Sequence, residues 1–599
     1  MTNSSTTSIT STTSTITGNE DTQHKLAAPD LDSLIQSRLA KLTGGTSPAS
    51  AAAAWMDWAG HLATAPATQL TLALQAWQGA VDAATAPAKS TDRRFAAPQW
   101  QQWPYDRIAQ NYVNVERWWQ QAASSVPGVS THHAQQAAFF AQQLLDLASP
   151  ANFLPTNPEA LQATLDSGGA NLLQGAHNQV QDLLHSLNAG SAVRESAYLP
   201  GRDVAITPGQ VVFRNHLIEL IQYAPQTATV FAEPVLIVPP WIMKYYILDL
   251  QPADSLVRYL VEHGHTVFIV SWRNPGPEDR ALGMDDYLQL GVVAALNAVA
   301  QIVPKRQVQA LGYCLGGTLL SIAAATLARE GDERLKSLSL LTTELDFSEP
   351  GDLSLFIDDQ QLRSLEGLMA EQGYLDSAQM AGAFTLLNAR DLVFSRNVSA
   401  YLLGRQAPTT DLNAWNADGT RMPFRQHSEY LRGLYRDNDL ARGRYKVGGK
   451  PVVLSDIRVP IFALGTQRDN VVPWKTAYKV RLLTRSELTF CLSSGGHNVG
   501  VVNPPASADA TVATVAADAS VSAGPPRSYR MHSHSADARY QDPDSWLAET
   551  PSTAGSWWPA WEAWLRSHAS KRVKPPAMGN EAAGLPPLQA APGQYVLMN

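Results

Sequence analysis

Cys314 lies in the segment Gly312-Tyr313-Cys314-Leu315-Gly316-Gly317-Thr318, which follows an apolar run and opens another, Leu319 to Leu327. A nucleophile flanked by glycines two residues to either side has the spacing of a nucleophile elbow, where a strand turns sharply into a helix. The glycines permit close packing that a side chain would block. The helix N-terminus favours negative charge on the sulfur or on an oxyanion. With cysteine where serine is usual, the chemistry is acyl transfer through a thioester. Exchange between a thiol and a thioester is nearly energy-neutral, so the acyl group stays activated for an incoming alcohol. Cysteine hydrolases also exist, and a thioesterase, lipase or depolymerase on the same scaffold is the alternative.

Such a nucleophile needs a base and an acid, and the acid precedes the histidine in this chain order. Asp469 lies in Gly465-Thr466-Gln467-Arg468-Asp469-Asn470-Val471-Val472-Pro473-Trp474, past an apolar run. His497 lies in Ser493-Ser494-Gly495-Gly496-His497-Asn498, past the next one. Both follow expected strand ends, where catalytic groups of open α/β sheets gather. His497 would take the proton from Cys314 and later from an incoming hydroxyl. Asp469 would hold its tautomer and stabilise its cation. The oxyanion hole would use the backbone N–H of Leu315 and a second donor from Val238-Pro239-Pro240-Trp241-Ile242, assigned to Trp241. The plainer reading of Pro239-Pro240 is a strand-ending turn.

These residues need a sheet to position them. Short β-branched runs at Val235–Val238, Thr266–Val270, Val308–Leu311, Leu338–Leu341, Val459–Leu464 and Leu488–Phe490 alternate with helical stretches. That alternation predicts an α/β fold with a mostly parallel central sheet, an α/β-hydrolase arrangement. Residues 28–200, rich in Ala, Gln, Leu and Trp, predict a helical N-terminal domain. The catalytic domain is expected over 201–570, with a cap at about 350–445 and a low-complexity insertion at about 505–525. Residues 1–27 are Ser/Thr-rich and read as a disordered tail, and 571–599 as a C-terminal tail.

The 599 residues suffice for more than one domain, and 45% of them are hydrophobic. A net charge of -8 gives no reason to expect nucleic acid, and two cysteines exclude a disulfide framework. Neither a secretory signal nor a membrane-spanning run is visible, so the cytoplasm is the expected location.

The box around Cys314 resembles that of the polyhydroxyalkanoate synthases, of the class I, short-chain type. Asp92-Arg93-Arg94-Phe95, Ser149-Pro150-Ala151-Asn152-Phe153, Pro239-Pro240-Trp241, Ser271-Trp272-Arg273-Asn274-Pro275, Trp415-Asn416-Ala417-Asp418 and Ser556-Trp557-Trp558-Pro559 follow in family order. The resemblance spans roughly residues 27 to 570. It implies polymerisation of (R)-3-hydroxyacyl-CoA, with Cys314, Asp469 and His497 as the catalytic residues. It implies no metal and no dissociable cofactor, a homodimer, and attachment to polyester granules. Trp415 and Tyr430 are candidate substrate or cap residues; for Trp415 a dimer contact and simple core packing are the other readings. Met243 and Asn470 depart from the family's usual Asn and His.

Overall fold

The computed structural model describes residues 47–85, 92–188, 198–406, 409–505 and 527–599. The Ser/Thr-rich segment 1–27 and nearly all of the stretch 505–525 lie outside the described residues.

The N-terminal region is helical. Its helices are α1 (Pro48–Ala63), α2 (Pro66–Thr85), α3 (Tyr105–Ser124), α4 (Thr131–Leu147), α5 (Pro158–Asp166) and α6 (Ala170–Asn188). Local chemistry starts them. The Ser130 hydroxyl accepts from His133 N at 3.2 Å, and Asn157 Oδ1 accepts from Ala160 N at 3.0 Å. Each satisfies an amide that the first helical turn leaves without a partner. Their own core is small, gathering Phe95, Trp100, Ala109, Tyr112 and Ala151. Beside it Arg94 is buried against Asp92 at 2.6 Å, Glu116 at 2.9 Å and Asp146 at 2.9 Å.

The catalytic region is built on one eleven-stranded sheet. In chain order its strands are β1 (Gly209–Arg214), β2 (Ile218–Tyr223), β3 (Val235–Val238), β4 (Val267–Trp272), β5 (Val308–Tyr313), β6 (Leu335–Leu341), β7 (Ile461–Thr466), β8 (Leu488–Ser493), β9 (Ser528–His534), β10 (Ser552–Ala554) and β11 (Gln589–Ala590). Their spatial order is β10-β9-β8-β7-β6-β5-β3-β4-β2-β1-β11. The stretch β4-β3-β5-β6-β7-β8 is parallel throughout, and antiparallel strands flank it. This is the α/β-hydrolase fold. The six apolar runs named from the sequence are these six parallel strands. Helices cover both faces, so the strands are buried on both sides and read as continuous apolar runs. The flanking strands carry Arg214, Glu219 and Gln222 or Arg530 and His532, and their mixed polarity hides them.

Residues 571–599, expected as a tail, are instead part of the fold. Arg572–Val573 pairs with Val230–Phe231, and β11 pairs with β1. The buried Glu219 carboxylate accepts from the amides of Gln594 at 2.9 Å and Tyr595 at 3.0 Å. A buried carboxylate requires such partners, and prolines are tolerated beside an edge strand.

Between β6 and β7 a helical cap covers one end of the sheet, with α7 (Asp359–Gln372) and α8 (Ser377–Leu387) followed by further turns to Arg436. The N-terminal helices grip this cap. Gln136 Nε2 donates to Leu355 O at 2.9 Å, Asn171 Nδ2 to Leu402 O at 2.7 Å, and Asn178 Nδ2 to Ala400 O at 2.9 Å. Arg390 of the cap pairs with Glu116 at 2.8 Å and Asp146 at 3.0 Å. Among the described residues no helix is long and apolar enough to cross a membrane.

Candidate active site

Cys314 sits between β5 and the helix Leu315–Glu330 with φ 52° and ψ −124°. A non-glycine residue in that region is strained and needs its surroundings to hold it. Here Cys314 N–H donates to Leu341 O at 2.9 Å, and Cys314 O accepts from Gly317 N at 2.9 Å. The glycines are required by contact. A Cβ on Gly312 would lie 2.3 Å from Gly317 Cα, and one on Gly316 would lie 2.1 Å from Val238 O. The second contact presses the helix N-terminus against the loop after β3, the loop that holds Pro239, Pro240 and Trp241. Trp272 Nε1 fixes that loop by donating to Pro239 O at 2.9 Å.

Asp469 and His497 meet at the ends of β7 and β8. Asp469 Oδ2 accepts from His497 Nδ1 at 2.8 Å and from Thr466 Oγ1 at 3.0 Å, while Oδ1 accepts from Val471 N and Val472 N at 2.9 Å each. An ionised carboxylate only accepts, so Nδ1 carries the proton. Burial alone would raise the Asp469 pKa, but His497 and these donors hold it below the usual carboxylate range. After Asp469, Cys314 is the next group whose charge acts on His497. Burial opposes charge on the imidazole, yet Asp469 and Cys314 outweigh it and lift the pKa to about 10. The loops are tied together by Arg468 N–H donating to Gly495 O at 2.8 Å. Of the three residues named from the sequence, Asp469 and His497 are hydrogen-bonded and Cys314 lies within electrostatic reach of the imidazole. Such a set can move a proton off a thiol and stabilise the cation it leaves.

Leu315 opens the helix after the nucleophile, where the first-turn amides have no intrahelical acceptor. Trp241 is buried beside it in the abutting loop, its ring 5.9 Å from Tyr287 and 5.8 Å from Tyr430. Tyr430 is buried, with Cys314 among its electrostatic neighbours. Trp415 lies in the cap, in the helix Asp411–Asn416. It is 3% exposed and donates Nε1–H to Lys244 O at 2.7 Å, so it fastens the cap to the segment after the Trp241 loop. Met243 bridges to Gly419, and Asn470 Nδ2 donates to Asn388 Oδ1 at 3.1 Å. Both family departures therefore touch the cap.

Sequence reasoning missed three contributors. Tyr313, beside the nucleophile, lies with its ring 5.7 Å from His497 and donates its hydroxyl to Asn498 Oδ1 at 2.7 Å. The Val471 and Val472 amides, which hold Asp469, are backbone groups and leave no residue-type signal. Glu344 is buried, with Cys314 foremost among the charges that act on it, and nothing in Thr342-Thr343-Glu344-Leu345 marks it. Among the described residues no group of three His, Cys, Asp or Glu is arranged to hold a metal ion.

Residues 91–260 match a family described as poly-beta-hydroxybutyrate polymerase N-terminus, and residues 26–67 match its companion N-terminal segment. Residues 233–504 match the alpha/beta hydrolase fold. The chain is 40% identical over 526 residues to a poly(3-hydroxyalkanoate) polymerase of Methylorubrum extorquens, covering 87% of this chain and 83% of that protein. It is 39% identical over 529 residues to a poly(3-hydroxyalkanoate) polymerase subunit of Cupriavidus necator, covering 87% and 85%. Among solved structures, the thioesterase domain from the curacin biosynthetic pathway superposes with a TM-score of 0.28 at 15% identity, covering 49% of this chain and 94% of that one.

Proposed function

The chain belongs to the poly-beta-hydroxybutyrate polymerase family, and from that premise we propose that it polymerises (R)-3-hydroxyacyl-CoA, with 3-hydroxybutyryl-CoA as monomer, into polyhydroxyalkanoate. CoA leaves through a covalent thioester on Cys314. The observation that carries this reading is Cys314 on a strained strand-to-helix turn, within electrostatic reach of a His497 that is hydrogen-bonded to Asp469.

His497 takes the thiol proton, and the sulfur attacks the substrate's thioester carbonyl. The amide of Leu315, with a second donor from the Trp241 loop, stabilises the oxyanion. The carbon–sulfur bond to CoA breaks, and the proton returns to the CoA thiolate. A 3-hydroxyl group then attacks the Cys314 thioester after giving its proton to His497. An ester forms, Cys314 is freed as the thiol, and the chain grows by one unit. No metal or dissociable cofactor takes part; the CoA thioester itself supplies the driving force.

A homodimer in the cytoplasm attached to polyester granules belongs to the same reading. Exposed Trp77 and Leu173 on the N-terminal helices, with Trp103 in the turn before α3, offer apolar surface to a polymer face. The test follows thiol release and product together from 3-hydroxybutyryl-CoA. Free thiol with insoluble polyester, both lost in Cys314→Ala, is the expected result. Free 3-hydroxybutyrate without polymer would replace the reading with a hydrolase.

A further inference from the structure

The loop after β6 wraps the nucleophile turn. Leu341 O accepts the Cys314 amide, a Cβ on Gly317 would lie 1.9 Å from Thr343 Oγ1, and Thr318 Oγ1 donates to Glu344 O at 2.7 Å. Thr342 takes φ 43° to make that turn, a strained value for a β-branched residue. The consequence is a glutamate whose backbone packs on the nucleophile helix and whose side chain is turned into the interior. Glu344 is 3% exposed, and its Oε1 has no hydrogen-bond partner.

The groups that face this carboxyl are known. Cys314 is its foremost electrostatic neighbour, followed by Asp346, Lys479 and Asp469, and it also couples to the Tyr430 and Tyr435 hydroxyls. Lys479, the sole cation of the set, is held by Glu349 at 2.7 Å and lies 3.9 Å from Asp346. Burial first, then the Cys314 sulfur, push the Glu344 pKa well above the carboxylate range. Burial and these neighbours oppose its ionisation, and a carboxyl that keeps its proton can both donate and accept.

We propose that the Glu344 carboxyl recognises an oxygen substituent, hydroxyl or ester carbonyl, on the acyl chain held at Cys314. The role rests on the acyl-enzyme reading above. A buried polar atom without a partner is costly. A ligand oxygen that satisfies it gains a preference that an all-carbon chain cannot. Sites that hydrogen-bond a substrate hydroxyl reject analogues lacking it far more strongly than sites that sense a methylene.

The test measures acylation of Cys314 by intact mass in single-turnover mixtures, with 3-hydroxybutyryl-CoA and butyryl-CoA as paired donors. Wild type should favour the hydroxylated donor by about tenfold or more. Glu344→Leu should lose that preference through a slower reaction with the hydroxylated donor. Glu344→Gln, which keeps a donor and an acceptor, should retain the preference. Glu344→Met, close in volume, replaces the leucine variant should that one not fold. Equal losses with both donors, or an unchanged preference in the apolar variants, would overturn the role while leaving the acyl-enzyme intact. A wild type that neither donor acylates overturns the acyl-enzyme reading and this role with it.

Discussion

The parallel strands and the N-terminal helices are held together by different physics. β3, β4, β5, β7 and β8 are buried at every residue. The twenty-residue helix α2 buries only Leu72 and Ala83. The sheet is stabilised by apolar area and can hold a strained cysteine. The helices and the cap they grip are joined by amide and ion-pair contacts that water can replace. The lesson is a division of labour, with rigidity placed where reacting atoms must stay within tenths of an ångström and polar docking where a cover must sit. Each prediction below sets one side of this division against the other.

The largest effect lies at the elbow. Cys314→Ala should abolish acyl-enzyme formation and lower turnover by about 10⁴-fold or more. Its melting temperature should stay close to wild type, because the change removes a strained, half-exposed thiol rather than a core group. Cys491 gives the internal contrast. It is fully buried in β8, and burial pushes its thiol up. An alkylating reagent should therefore modify Cys314 in the native protein and reach Cys491 only after unfolding. Equal labelling of both by mass spectrometry would contradict the rigid-sheet half of the comparison.

Asp469→Asn comes next, with an expected turnover loss of about 10³–10⁴-fold. It also carries a pH signature. The His497 pKa of about 10 in the fold exceeds its unfolded value, which is about 6.5. The stability this contributes is complete below about pH 6.5 and is lost as pH rises through about 10. Thermal melts of the wild type should decline across that window, and the decline should flatten in Asp469→Asn. Parallel curves for the two proteins would show that the pair does not titrate as the geometry requires.

The same division explains what could be read from the sequence. Strands buried on both faces leave a signal that single residues cannot mask, so all six parallel strands were legible, and with them the loops carrying Asp469 and His497. The elbow was legible because Gly312, Gly316 and Gly317 answer to backbone contacts that only glycine allows. The antiparallel flanks were not, since Glu219 and Gln222 owe their burial to partners near the other end of the chain. Residues 571–599 were misread for the same reason: the Glu219 and Gln222 contacts that hold them cannot be inferred from composition. Trp415 was legible as a cap residue, but its bond to Lys244 O depends on how the cap lands. Glu344 depended on the turn at Thr342.

On the polar side, Arg94→Met should destabilise the N-terminal helices by about 3 kcal/mol, the low end of the cost of removing one partner from a buried ion-pair cluster, since Arg390 still reaches Glu116 and Asp146. Asp92, Glu116 and Asp146 would lose the guanidinium that lies within 2.6–2.9 Å of all three. Burial already raises the Asp146 pKa despite its arginine partners. Denaturant unfolding should then show an early transition belonging to the helices, with the sheet unfolding later. A single transition shifted as a whole would mean that the two regions unfold as one unit.

Arg390→Met should have the smallest effect, because the cap's guanidinium is 38% exposed and Arg94 keeps both carboxylates paired. An exposed pair contributes about 1 kcal/mol or less, so the melting temperature should barely move. What should change is the grip. Arg390 reaches from the cap to both Glu116 and Asp146, and without it the remaining ties near this point are single amide bonds such as Gln143 Nε2 to Leu386 O at 3.2 Å. Hydrogen exchange should rise at residues 384–396 and at the facing part of α4, while β5 through β8 stay protected. If exchange rose equally in the sheet, the cap and the strands would be one cooperative unit, and polar docking would be as much a part of the rigid scaffold as the apolar strands are.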